Sequence, residues 1–204
     1  MPRPFQTIVT ADCTWHDSSV TDPEPILQPR LFHFSEEPNI GQFVPRVTDA
    51  PRPEGMEWLN GPLVWAITEQ RQAAYLFPRD CPRVLLWLTP DTTPEDRAEW
   101  WGTRNAEMIA CVEWCWLDAI RSAELHRYEF AANSFQPVDG DWTWVTKDSV
   151  EPISVEPCGD LLEALAAQAV ELRIMSSLVP LAGVWSTSLH ASGIRLKNAH
   201  DWPR

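Results

Sequence analysis

Apolar and polar side chains alternate along Leu31-Phe-His-Phe-Ser35, and this period of two predicts a strand with His33 and Ser35 on one face. A second strand is expected over 63–67, Leu63-Val-Trp-Ala-Ile67, followed by a short helical turn over 69–75 that Thr68 is placed to cap. Residues 83–88, Arg83-Val-Leu-Leu-Trp-Leu88, are apolar enough for a central strand. Thr93-Pro94-Glu-Asp96 reads as a helix start, with Thr as cap, Pro at the first helical position and acids in the first turn, and that helix should reach about Gly102. Met108-Ile-Ala-Cys-Val112 fits both periods; a strand is the favoured reading, with a short helix over 115–121 behind it. Alternation returns over 125–130, and again over 142–146 after the Asp139-Gly-Asp141 turn. A strand over 150–155 is interrupted by Pro152 and belongs at an edge or bulge. Apolar residues at 161, 162, 165, 169, 172 and 175 make one stripe, which predicts a helix over 161–175 capped by Asp160. A turn over 178–185 and a polar tail close the chain.

Between the first two strands, residues 38–62 carry five prolines together with Gly41, Gly55 and Gly61, the composition of a long loop of the kind that lines sites. Residues 1–30, with prolines at 2, 4, 23, 25 and 29, read as a loosely ordered N-terminal extension, although 5–9 would also suit an edge strand. Residues 31–204 then form a single domain. Strands interspersed with helices of irregular length give an α+β fold, with a mixed, mainly antiparallel sheet and flanking helices.

Composition narrows the function classes. A chain of 204 residues supports one core of ordinary size. Its 12 Trp residues each bring an indole N–H that wants an acceptor, so aromatic walls are expected at clefts as well as in the core. A formal net charge of −13 opposes non-specific nucleic-acid binding and anionic membranes. Five Cys, an odd number, and an opening stretch without a signal-like apolar run fit a cytoplasmic location, and no apolar run is long enough to span a membrane. Glycine-rich phosphate loops, dinucleotide fingerprints and nucleophile elbows are absent. Cys111 and Cys115 lack a second ligand pair and read as two buried thiols, so no metal is expected. Ser186-Thr-Ser188 beside His190 reads as polar loop rather than a catalytic set.

Three constellations carry candidate chemistry. His33 and Ser35 share a strand face and suit a ribose or carboxamide; a half-buried histidine bonded to a carbonyl is the plainer alternative. Trp65, with Tyr75 ten residues on, would sandwich a ring, or the two would simply pack. Pro78-Arg-Asp-Cys-Pro-Arg83 places Arg79 and Arg83 as an anion clamp around Cys81, whose thiol pKa they would lower; the alternative is an Arg79–Asp80 surface pair with Arg83 entering the strand.

The runs Leu31-Phe-His-Phe-Ser-Glu-Glu-Pro-Asn-Ile40, Phe43-Val-Pro-Arg46, Gly61-Pro-Leu-Val-Trp-Ala-Ile67 and Tyr75-Leu-Phe-Pro-Arg-Asp-Cys-Pro-Arg83 resemble a bacterial family of uncharacterised proteins, domain-of-unknown-function family 6886. The resemblance continues through Trp144-Val-Thr-Lys-Asp-Ser-Val-Glu-Pro152 and Val170-Glu-Leu-Arg173 to Gly193-Ile-Arg-Leu-Lys-Asn-Ala199, and it brings no activity. More distantly, the order of Leu31-Phe-His-Phe-Ser35, Val64-Trp-Ala-Ile67 and Tyr75 is similar to the ADP-ribosyltransferase fold. That resemblance implies His33 as ribose anchor and Tyr75 (or Trp65) as the stacking ring, both at a catalytic centre. The leading reading joins these to Ser35, Trp65, Arg46, Arg79 and Arg83 as ligand-binding residues, with NAD or a nucleotide-like molecule as ligand and glycosidic or phosphoryl transfer as the expected reaction. The family's late-strand Glu has no counterpart in Trp142-Thr-Trp-Val-Thr146, so the resemblance implies the pocket ahead of the reaction. A non-catalytic binding domain is the alternative reading.

Overall fold

The computed structural model describes residues 28–48, 54–138 and 142–203. The segment 1–27, read from sequence as an extension, lies outside the described residues, as does the 139–141 turn. In chain order the strands are β1 (Leu31–Ser35), β2 (Val64–Thr68), β3 (Arg83–Trp87), β4 (Met108–Glu113), β5 (His126–Phe130), β6 (Gln136–Val138), β7 (Thr143–Thr146), β8 (Ser154–Pro157), β9 (Val170–Met175) and β10 (His190–Ile194). They form two sheets rather than the one that was expected. A six-stranded sheet runs β6-β7-β2-β1-β5-β8 and a four-stranded one β10-β3-β4-β9. Every pair in the larger sheet is antiparallel; in the smaller one β9 joins β4 in parallel.

The helices are short. Thr93 caps α1 (Pro94–Asp96) by accepting the Asp96 N–H, and the helix continues as a π-helical turn, Arg97–Trp101. Gly102 closes it at φ 68, where an L side chain would be strained. Beyond α2 (Leu117–Ser122), Asp160 caps α3 (Leu161–Ala167) by accepting two N–H groups. Thr68 makes no such bond; the first N–H of its 3-10 turn, Glu69–Tyr75, goes instead to the Arg30 carbonyl.

The predicted helix over 161–175 is corrected by the structure. It ends at Ala167, Ala169 turns the chain at φ 53, and 170–175 are β9. The same residues carry both periods. Leu172 and Met175 continue the stripe while Val170, Leu172 and Ile174 alternate, and a six-residue parallel pairing with β4 settles the choice. The tail is likewise not polar loop. Five residues, 190–194, pair with all of β3 through backbone bonds that need no apolar pattern. Gly193 lets the Leu196 side chain lie close, since a Cβ there would sit 2.3 Å from Leu196 Cδ1 and turn that side chain aside.

The main core is built on both faces of the smaller sheet, where Val84, Leu85, Leu86, Ile109, Ala110 and Val112 are wholly buried, and Leu161 and Leu165 of α3 belong to the same cluster. Phe34 and Trp142 of the larger sheet's side pack onto this core and join the two layers. The opposite face of the larger sheet has its own cluster, with Leu31, Val64, Ala66, Tyr128 and Phe130 beneath Phe43. His33 stands on that second face. No helix among the described residues is long and apolar enough to cross a membrane.

Candidate functional site

β1 lies between β2 and β5; β5 pairs with all five of its residues and β2 with Leu31 and Phe32. The register pairs Leu31 with Phe130, His33 with Tyr128 and Ser35 with His126, which puts Tyr128 and His126 on the face of His33 and Ser35. Phe43 reaches this face through its backbone bridge to Val150 and meets the His33 ring edge-on, at 4.9 Å between centroids. The Tyr128 hydroxyl donates to the Glu37 carbonyl and accepts from the Ile40 N–H, which fastens the chain leaving β1.

His33 Nδ1 lies 2.9 Å from the Trp65 carbonyl oxygen. A carbonyl can only accept, so the proton sits on Nδ1 and Nε2 presents a lone pair. Burial holds the imidazole pKa below its ordinary value, and nearby Arg79 and Arg46 push the same way, against the opposing pull of the Trp65 carbonyl. At neutral pH the ring is therefore an uncharged hydrogen-bond acceptor, and no described residue bonds its Nε2.

Arg46 and Arg79 are exposed. Arg46 is carried by the bridge between its own backbone and Leu63, and Arg79 by the turn before β3. The Arg79 backbone N–H donates to Glu36 Oε1 at 3.0 Å, which fixes this turn against the end of β1. Ser35 Oγ accepts the Glu37 N–H at 3.1 Å and keeps its own hydrogen for a further acceptor. His33 and Ser35 thus share one face of β1, with Arg79 in the turn that Glu36 fastens and Arg46 in the segment bridged to Leu63, both near enough to act on the His33 charge.

The remaining sequence candidates stand elsewhere. Alternation along β1 turns Phe34 away from His33, and Tyr75 stacks on Phe34, with centroids 6.4 Å apart and planes at 12°. Trp65 likewise alternates with Val64 and Ala66 of the His33 face and packs against Leu59, Leu63, Val138 and Val145. The sheet therefore stands between His33 and the two rings expected to sandwich its ligand. Arg83 is not free to clamp an anion: it is 2% exposed, its Nε and Nη1 donate to the carbonyls of Ala74 and Cys81, and its guanidinium lies over the Phe77 and Tyr75 rings. The structure takes the other branch, with Arg83 entering the strand. Cys81 is wholly buried, and desolvation pushes its thiol up to about 12, outweighing the lowering effect of Arg83. Burial thus works against an activated thiol, because adjacency to arginine in sequence did not bring water with it. Cys111 is buried as read, but Cys115 is exposed.

One residue on the His33 face escaped sequence reading. His126 stands opposite Ser35, and its Nδ1 is buried with no hydrogen-bond partner among the described residues. The alternation His126-Arg-Tyr-Glu-Phe130 gave its face, but only the register gives its neighbour. A shallow depression of about 270 Å3 lined by Arg104, Asn105, Ala106, Ala169, Val170 and Glu171 opens at the start of β9, away from this site. Among the described residues no three His, Cys, Asp or Glu side chains gather as a metal site requires.

No curated protein and no solved structure matches the chain. A family model described as a family of unknown function (DUF6886) matches residues 32–199, and the chain belongs to that family.

Proposed function

We propose that this member of the family binds an anionic ligand of the nucleotide class, NAD or a nucleotide-like molecule, at the C-terminal end of β1. The observation that carries the reading is the bond from His33 Nδ1 to the Trp65 carbonyl, which leaves Nε2 as a neutral acceptor beside two exposed guanidiniums. A ribose hydroxyl donates to Nε2, Ser35 Oγ supplies a second polar contact, and Arg46 and Arg79 offer planar forks to a phosphate. A ligand of dinucleotide length passes the end of the strand and lays its ring on Tyr75, which is 37% exposed. The resemblance to the ADP-ribosyltransferase fold belongs to the same proposal, with His33 in the role of ribose anchor. Glycosidic or phosphoryl transfer would be helped by Arg79 stabilising developing charge. These residues favour binding over transfer, because β7 carries no Glu and Glu129 of β5 is committed to Arg30 and Ser154. The free thiols of Cys81, Cys111, Cys115 and Cys158 fit a reducing cytosol, the setting that this reading assumes.

The test is a titration of purified protein with NAD, ADP-ribose and nucleoside 2′-phosphates, following Trp fluorescence. At least one of them should give a saturable signal, and His33→Ala should weaken it by about tenfold, the worth of one lost hydrogen bond to a buried partner. No response from native protein, or equal responses from the two proteins, would sink the reading. A second reading rests on a different observation: Val44, Val47 and Trp58 are 55%, 74% and 43% exposed, an apolar surface that suits a non-catalytic protein-binding domain. Recovery of a specific partner by pull-down, lost in Trp58→Ala and kept in His33→Ala, would favour it.

A further inference from the structure

The loop over 78–82 carries Arg79 into the site, and its backbone is fastened from several directions. The Arg79 N–H donates to Glu36 Oε1 at 3.0 Å on the β1 side. Arg195 Nε donates to the Arg79 carbonyl at 3.2 Å, and Asn198 Nδ2 donates to the Asp80 carbonyl at 2.7 Å. From within, Arg83 Nη1 donates to the Cys81 carbonyl at 2.9 Å, and the Cys81 N–H closes the turn on the Pro78 carbonyl at 3.0 Å. Two of these anchors come from 116 and 118 residues away in sequence, so the loop does not hold itself.

Arg195 precedes and Asn198 ends the 3-10 turn Leu196–Asn198, which is itself braced. The Asn198 N–H closes it on the Arg195 carbonyl at 2.8 Å. Just beyond, the His200 N–H donates to both carboxylate oxygens of Glu113, a buried residue at the end of β4, at 3.1 Å each. Arg195 adopts φ 55, a left-handed conformation that a residue with a Cβ holds only at a cost. The chain thus accepts local strain to bring this turn against the loop. Against all this fastening of the backbone, the Arg79 guanidinium is exposed and makes no hydrogen bond or ion pair to a described residue.

A fixed backbone beneath an uncommitted cation is how an anion contact is preorganised, since the ordering cost is met before the ligand arrives. We infer that the 195–198 turn is the positioning element of the anion subsite: Arg195 and Asn198 act through Arg79 and hold it where the phosphate of a ligand anchored at His33 falls. They do not touch the ligand. The inference rests on the binding reading above and adds to it the part of the fold that sets its preference for phosphate.

The experiment compares native protein, Arg79→Ala, Asn198→Ala, the Arg79→Ala/Asn198→Ala double variant, Asn198→Gln and Arg195→Gly, by calorimetric titration with ADP-ribose and with phosphate-free nicotinamide riboside. Asn198→Ala should weaken ADP-ribose about fivefold to tenfold, the loss of one hydrogen bond that orders a charged group. It should leave nicotinamide riboside unchanged. Asn198→Gln keeps the donor and should recover part of the loss. Arg195→Gly removes the Nε contact while relieving the left-handed backbone, two changes of opposite sign, so it should lose phosphate affinity with a melting temperature close to native. The double variant should bind no worse than Arg79→Ala, because Asn198 has nothing left to position. The inference is overturned if Asn198→Ala matches native protein, if its loss persists undiminished in the Arg79→Ala background, or if both ligands weaken alike. Failure of native protein to bind ADP-ribose removes the binding reading and this one together. Loss in Arg79→Ala with none in Asn198→Ala or Arg195→Gly removes this one alone.

Discussion

His33 gains its chemistry from a proton placed by its neighbours, and that placement links the site to stability. Its folded pKa lies below the ordinary histidine value of 6.5, with burial the largest cause. As the pH falls through 6.5 the unfolded chain takes up a proton that the folded chain refuses, so stability is full above that range and drains away as acid is added. The slope due to this group is at most about 1.4 kcal/mol per pH unit. His33→Gln keeps a side chain able to bond the Trp65 carbonyl and does not titrate. The gap in urea midpoint between native protein and this variant should therefore shift in favour of the variant between pH 7.5 and pH 5.5. Parallel midpoints across that interval would show that His33 protonates in the folded state. Cys81 and Arg83 teach the converse. Their run in sequence has the look of an activated thiol in a cationic clamp, but pKa follows solvation, and solvation is set by strands that the run itself does not contain.

At the scale of elements, sequence was sufficient wherever one period had no rival. β1, β2, β3, β5 and β7 fall within a residue or two of the runs read as strands, and the Thr93 and Asp160 caps hold the helix starts that they were read to hold, whereas the strand expected over 150–155 forms at Ser154–Pro157. It was insufficient where two periods coincided, over 170–175, and where pairing needed only backbone, at β10. The site divides along the same line. His33 and Ser35 on one face were legible from β1 alone. That Tyr75 and Trp65 face away from His33, and that His126 faces Ser35, follows from register and from the packing of distant segments. The turn that cut the predicted helix short is itself testable. Ala169 sits at φ 53, where a Cβ costs about 1–2 kcal/mol, while glycine loses about 0.5–1 kcal/mol in unfolded-chain entropy. Ala169→Gly should therefore raise stability by roughly 0.5 kcal/mol, read as a higher urea midpoint with an unchanged slope. A fall in midpoint would mean that the left-handed turn is not what separates α3 from β9.

On the scale of the whole molecule, the anion subsite proposed at Arg46 and Arg79 would sit in a chain of net charge −13, and the two fields act over different ranges. The arginine pair is felt within a few ångströms. The net charge is felt by an approaching anion at larger separations, up to the Debye length of about 10 Å at 0.1 M salt. Local attraction governs how long the ligand stays; the distant repulsion governs how often it arrives. Raising salt from about 10 mM to about 150 mM screens the distant term most, so the association rate of ADP-ribose in stopped flow should rise severalfold. The rate for nicotinamide riboside, which carries one positive charge, should fall over the same interval. The Arg79→Ala change should act mainly on dissociation, because it leaves the long-range field almost as it was. An ADP-ribose association rate that falls with salt would mean that the arginines steer the encounter as well as hold the ligand, and that the acidic surface lies well away from the approach to the end of β1.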